Sequence, residues 1–312
     1  MNLEPGTAQM LQQMQQMDIK PFFQYSVEES RHLFSSINPR ENGQSYDVTT
    51  SNRSYDVQGD SIPAIVIQPN QDSKGIIVYV HGGGFLLGEA EDFELFGKML
   101  AQKTSCTVII PNYRKGPEFQ HPTAFNDTES LVKAVYANKG DYVSNTSVPF
   151  ILMGDSAGAT IAAVLASKSR KTADYNVDLQ VLAYPLTQTD FNSECYTDPQ
   201  NQLLVGRENM LFFLDNYIPN QADRESADFA MMNETDLSGM PPAVIITAEY
   251  DVLREDGKAY AKKLDSAGIP VVYKNFDGTI HAFLTTTMLP VCDQAISFIA
   301  DSMKQVLSST TV

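Results

Sequence analysis

The stretch Gly154-Asp155-Ser156-Ala157-Gly158 constrains this chain more than any other. It stands between a short apolar run, residues 148–153, and a run of small residues from Ala159 to Ser169. The first reads as a strand and the second as a helix. A strand that turns at once into a helix needs small residues around the turn, and Gly154 and Gly158 supply them. Such a turn holds the Ser156 hydroxyl out at the top of a sheet. A G-x-S-x-G string alone is expected roughly 0.1 times by chance in a chain of this length. The context on either side therefore carries the inference.

The surrounding pattern agrees with a sheet built from βα units. Residues 45–68 alternate like strands, and Gly75 to Val80 is a β-branched run suited to a strand buried on both faces. Strands are expected at Cys106–Pro111, Val148–Met153, Leu179–Tyr184, Ala243–Thr247 and Val271–Asn275. Helices are expected at Thr123–Asn138, from Ala157, at Glu255–Ala267 and at Ala295–Leu307. This rhythm predicts an α/β fold with a mostly parallel, twisted sheet flanked by helices.

Two regions depart from the rhythm. Residues 1–40 read as two short helices: Met10, Met14 and Met17 share one face, the break comes at Lys20-Pro21, and Ser26 caps the second helix. This Met face suits packing on the body or an apolar cover over a site. Between Pro185 and Pro241 more than fifty residues pass before the next core strand, with an apolar helical stretch at Arg207–Tyr217. An insertion of this length between sheet strands is usually a lid or cap. The expected division is 1–45 N-terminal cap helices, 46–186 first part of the core, 187–238 cap insertion and 239–312 second part of the core.

A hydroxyl nucleophile needs a base, an acid and donors for the developing oxyanion. His81-Gly82-Gly83-Gly84-Phe85 directly follows a strand, and successive glycines let backbone N–H groups approach a ligand. The chain has four histidines. His32 lies in the N-terminal helix, His81 is placed to orient the glycine loop, and His121 lies in a loop where a structural role is expected. His281 sits at the C-terminal end of the last expected strand, where α/β sheets carry functional side chains, and is the candidate base. Asp251 fits the acid, with Glu249 and Glu255 as competitors. The order Ser156, Asp251, His281 is the nucleophile–acid–base order of α/β-hydrolases.

Together these blocks resemble the hormone-sensitive-lipase-like carboxylesterase family of the α/β-hydrolase superfamily. The resemblance runs from about residue 60 to the end. It includes His81 to Phe85, Tyr113-Arg114-Lys115-Gly116-Pro117-Glu118 with Pro122 and Asp127, Gly154 to Gly158, Tyr184-Pro185, Asp251 to Gly257 and Gly278 to Phe283. Lys115-Gly116 stands where the family usually has Leu-Ala, and Ala282 where it usually has Gly. The resemblance implies an α/β-hydrolase fold with a helical cap from the N-terminus and an insertion. It implies Ser156 as nucleophile, His281 as base, Asp251 as acid, and the N–H groups of Gly83, Gly84 and Ala157 as the oxyanion hole. Arg114, Glu118 and Asp127 would brace the loop under the site, and Asp155 would fix the glycine loop. Phe85, Leu86, Phe212 and Phe213 are candidate pocket residues.

The implied activity is a serine carboxylesterase acting on short- to medium-chain acyl esters, with no cofactor and no metal. The same triad could serve an amidase, deacetylase or thioesterase, and a non-catalytic ligand-binding relative is the remaining alternative. The formal net charge of −16 opposes nucleic acid and anionic lipid as partners. No apolar run approaches the roughly 18 residues of a membrane span, so a small-molecule ester is the expected partner. A homodimer through an edge strand or the C-terminal helix is common for such sheets. Three dispersed cysteines and the lack of a secretory pattern at residues 1–10 point to the cytoplasm.

Overall fold

A computed structural model describes residues 1–57 and 59–309. Two helices, α1 (Pro5–Gln16) and α2 (Val27–Ile37), precede the sheet. The strands are β1 (Val48–Val57), β2 (Asp60–Pro69), β3 (Ile76–Val80), β4 (Thr107–Pro111), β5 (Phe150–Asp155), β6 (Leu179–Ala183), β7 (Ala243–Tyr250) and β8 (Val271–Ile280). Helix α3 (Glu94–Thr104) lies between β3 and β4, α4 (Thr123–Ala137) between β4 and β5, and α5 (Ala157–Ser169) between β5 and β6. The insertion carries α6 (Glu194–Thr197), α7 (Arg207–Tyr217) and α8 (Gln221–Arg224). Helix α9 (Arg254–Ser266) joins β7 to β8, and α10 (Pro290–Ser309) ends the described chain.

The strands form one sheet in the order β1-β2-β4-β3-β5-β6-β7-β8. Only β2 runs against its neighbours; the other contacts are parallel. The central strands are buried on both faces, which explains their continuous β-branched runs. Alternate residues feed two cores. Ile76, Val78 and Val80 of β3 join α4 and α5 on one face, while Ile77 and Tyr79 join α3 and α10 on the other.

Helix α5 is almost wholly buried, so its residues are small and its sequence lacks a polar face. At α2 the Ser26 hydroxyl and the Glu29 carboxylate cap each other's backbone, a capping box. Several elements differ from the sequence expectation: α3 is an additional helix, β5 starts at Phe150 and not at Val148, β7 runs on to Tyr250, α10 starts at Pro290, and β8 continues through Ile280 instead of ending at Asn275. An irregularity in β7 between Ala248 and Tyr250 lets Tyr250 pair with Ile280. The Asp277-Gly278 pair, beyond the expected strand end at Asn275, therefore lies inside the strand.

Candidate active site

The turn after β5 is the tightest point of the site. Ser156 has φ 52° and ψ −122°, a left-handed backbone that serine adopts only under constraint. Its N–H donates to the Ala183 carbonyl at 2.9 Å, and its carbonyl accepts from Thr160 N at 3.2 Å. A methyl group on Gly154 would strike the Gly158 backbone, and one on Gly158 would strike the Val80 carbonyl. Both glycines are needed because strand and helix approach within backbone contact.

The structure brings Ser156, His281 and Asp251 together from three loops. Ser156 Oγ lies 2.9 Å from His281 Nε2, and His281 Nδ1 lies 2.8 Å from Asp251 Oδ2. The second carboxylate oxygen of Asp251 accepts from Leu253 N at 2.9 Å. Asp251 is fully buried and His281 nearly so. The tyrosine ring of Tyr184 packs on the imidazole, with centroids 4.7 Å apart. The two competing acids are engaged elsewhere. Glu249 accepts from Gly278 N at 2.6 Å, and Glu255 pairs with Arg254 and Lys258.

The glycine loop after β3 lies beside this chain of groups. Gly83, Gly84 and Ala157 all line the cavity that holds Ser156. Among the described residues, none of their three N–H groups donates to another protein atom. Asp155 holds the loop from below: its Oδ1 accepts from Tyr79 OH at 2.6 Å and from Gly82 N at 2.8 Å. Burial pushes its carboxyl up to about 6 against these donors. His81 is stacked between Phe93 and Tyr113, and its Nδ1 lies 2.7 Å from the Gly82 carbonyl. A carbonyl only accepts, so Nδ1 carries the proton there. Burial, helped by nearby Lys115, drives the imidazole down to about 3, so the ring is neutral.

The other residues marked in the sequence sort as follows. Arg114 makes a two-pronged pair with Asp127, at 3.0 and 2.7 Å. Glu118 accepts from Arg31 of α2 at 2.9 and 2.7 Å. His32 is exposed. His121 lies edge-on to Phe125, Tyr217 and Phe229, away from Ser156's cavity.

The cavity above Ser156 has a volume of about 160 Å³. Phe85 and Phe213 line it, together with Leu87, Met210, Met10 and Met14. Leu86 and Phe212 do not. Leu86 is fully buried behind the loop, and Phe212 sits beside Phe213 with ring centroids 5.8 Å apart. Phe212 misses the cavity because Met210, Phe213 and Leu214 occupy i, i+3 and i+4 on one helix face. Leu86 misses it because Phe85 and Leu87, on either side, take the cavity face.

Three contributors were not foreseen from sequence. Arg31 donates from Nε to the Leu86 carbonyl at 2.8 Å and from Nη2 to the Gly116 carbonyl at 2.6 Å. Asp256 accepts from Thr187 N, Gln188 Nε2 and Tyr196 OH, tying the base of the insertion to the first turn of α9. The amino-terminal residues lie on the strand ends that carry Asp251 and His281: Asn2 N donates to Tyr250 OH and Glu4 N to the Gly278 carbonyl, each at 2.9 Å. All are long-range contacts without a local pattern. Among the described residues no group of three His, Cys, Asp or Glu could hold a metal ion, and no helix is long and apolar enough to cross a membrane.

Known proteins share this arrangement of strands and loops. A family model described as alpha/beta hydrolase fold matches residues 77–285. A carboxylesterase of Mycobacterium tuberculosis is 31% identical over 236 residues, covering 73% of this chain and 73% of that protein. An arylesterase of Saccharolobus solfataricus is 27% identical over 300 residues, covering 91% and 93%. Among solved structures, a thermostable esterase from Pseudomonas putida superposes with a TM-score of 0.89 at 26% identity, covering 98% of each chain. A hyperthermophilic esterase from Pyrobaculum calidifontis gives 0.86 at 29% identity, covering 100% of each. With a continuous match over the segment from β3 to just past His281, the chain belongs to the α/β-hydrolase family, in its hormone-sensitive-lipase-like carboxylesterase branch.

Proposed function

We propose that this protein hydrolyses small carboxylic esters through an acyl intermediate on Ser156. The observation that carries the reading is the unbroken line Ser156 Oγ, His281 Nε2, His281 Nδ1, Asp251 Oδ2, with steps of 2.9 and 2.8 Å. His281 takes the Ser156 proton as the oxygen attacks the ester carbonyl. The carbonyl oxygen becomes an oxyanion, which the N–H groups of Gly83, Gly84 and Ala157 receive. His281 then gives the proton to the departing alcohol, leaving Ser156 acylated. Water, deprotonated by His281, attacks the acyl group; the carboxylic acid leaves and Ser156 regains its proton. Asp251 holds the imidazole tautomer and stabilises its protonated form.

Residues 1–45 and 187–238 form the cap over this site. Support comes from Met10, Met14 and Phe22 of the first segment and Leu204, Met210 and Phe213 of the second, all of which line the cavity. A cavity of about 160 Å³ suits a short acyl chain or a single ring. The names of the similar carboxylesterase and arylesterase point to esters. The test is kcat/KM for nitrophenyl acetate against nitroacetanilide, in wild type and Ser156→Ala. Turnover of the ester, with at least about a thousandfold loss in Ser156→Ala, is expected. Anilide turned over as fast as ester would move the activity to amide hydrolysis.

A further inference from the structure

A second cavity, of about 270 Å³, lies on the far side of the N-terminal segment. It opens between the link from α1 to α2 and the stretch 202–209 that leads into α7. Met14, Phe22, Ile37 and Leu204 line both this cavity and the catalytic one, so the two spaces are separated by one layer of side chains. The four are unequal as a partition. Phe22 is buried and wedged between Phe34 and Phe213, with ring centroids 6.4 and 6.1 Å away. Met14 is unbranched and only half-buried. A methionine at such a position is flexible enough to change rotamer, giving up its packing contacts to do so.

The outer cavity also presents apolar surface that the protein leaves uncovered. Phe23 and Ile37 keep 40% and 38% of their surface exposed, and both line it. Concave clusters of this kind mark ligand grooves. One hydrogen bond closes the segment over the insertion: Phe23 N donates to Asn209 Oδ1 at 3.1 Å.

We propose that the outer cavity is a second subsite, taking the far end of an uncharged aliphatic chain of the ester substrate once Met14 swings aside. This rests on the ester-hydrolysis reading above. An inner space of about 160 Å³ matches a benzene-sized cavity, so a longer chain must cross the partition or turn into water. Crossing keeps the chain on apolar surface, where each buried methylene is worth about fourfold in binding. Met14 is the specificity-determining residue, because it sets where the inner space ends.

The test follows kcat/KM along two series: nitrophenyl esters from acetate to decanoate, and acetates of straight-chain alcohols of rising length. Two series are needed because a chain can lie on either side of the scissile bond. The proteins are wild type, Met14→Ala, and Met14→Ala combined with Leu203→Trp or with Ile19→Trp. Leu203 and Ile19 line only the outer cavity, from opposite walls, so one can substitute if the other variant fails to fold. In one series, Met14→Ala should raise the long-to-short ratio at least about tenfold, and a folded double variant should lose that gain. No gain in either series overturns the proposal, as does a gain that survives the added tryptophan. If wild type fails to turn over even the acetate, the ester-hydrolysis reading falls instead.

Discussion

Arg31 of α2 reaches across to the glycine loop and donates from Nε to the Leu86 carbonyl at 2.8 Å. The same guanidinium holds the Gly116 carbonyl and Glu118, so one side chain joins the N-terminal segment to the glycine loop and to the loop after β4. The exposed ion pair with Glu118 contributes little by itself. The buried Leu86 carbonyl matters more, because leaving it without a donor costs about 1–3 kcal/mol. Arg31→Ala should lower kcat by about tenfold or more as the donors of Gly83 and Gly84 drift, and Arg31→Lys should restore only part. A rise in KM with kcat intact would show that Arg31 merely anchors the cap.

Ala282, directly after His281, has φ 65°. An L-residue there costs about 1–2 kcal/mol, whereas glycine adopts it freely. Glycine loses more entropy on folding, by about 0.5–1 kcal/mol. Ala282→Gly should therefore raise stability by up to about 1 kcal/mol, seen as a higher melting temperature. A lower melting temperature would mean that the methyl group's packing in the cavity outweighs the backbone strain.

Asp256 is buried, and burial pushes its carboxyl up to about 7 despite its three donors. In the unfolded chain it titrates near the ordinary value of about 3.9. Between these values the folded state holds a proton that the unfolded state releases. The stability this group contributes is thus complete below about pH 4 and lost as pH rises through about 7. From pH 5 to pH 8, wild type should lose roughly 2 kcal/mol more than Asp256→Asn in denaturant unfolding. Parallel pH profiles would contradict the assignment.

The sheet and the cluster of Ser156, His281 and Asp251 were legible from sequence because their signals are local. Gly154 and Gly158 around Ser156 report a close backbone approach, and β-branched runs report strands buried on both faces. His281 stood out because few histidines exist and one follows the last strand. What escaped was tertiary. Asp251 already fits the acid from sequence, and the 2.8 Å contact with His281 sets it apart from Glu249 and Glu255. Arg31 meets residues 55 and 87 positions away, which no local pattern records. Helix geometry turns Phe212, a pocket candidate beside Phe213, off the cavity face, a distinction the i, i+3, i+4 spacing of Met210, Phe213 and Leu214 already contains.

Ester hydrolysis by this route requires that Ser156 carry the acyl group. Diethyl nitrophenyl phosphate tests it directly, because transfer of its phosphoryl group to a serine nucleophile releases nitrophenolate and leaves a stable adduct. One nitrophenolate should be released per chain, with loss of esterase activity in step and the adduct mapped by peptide mass to Ser156. Labelling of another residue, or full acetate hydrolysis by Ser156→Ala, would contradict it.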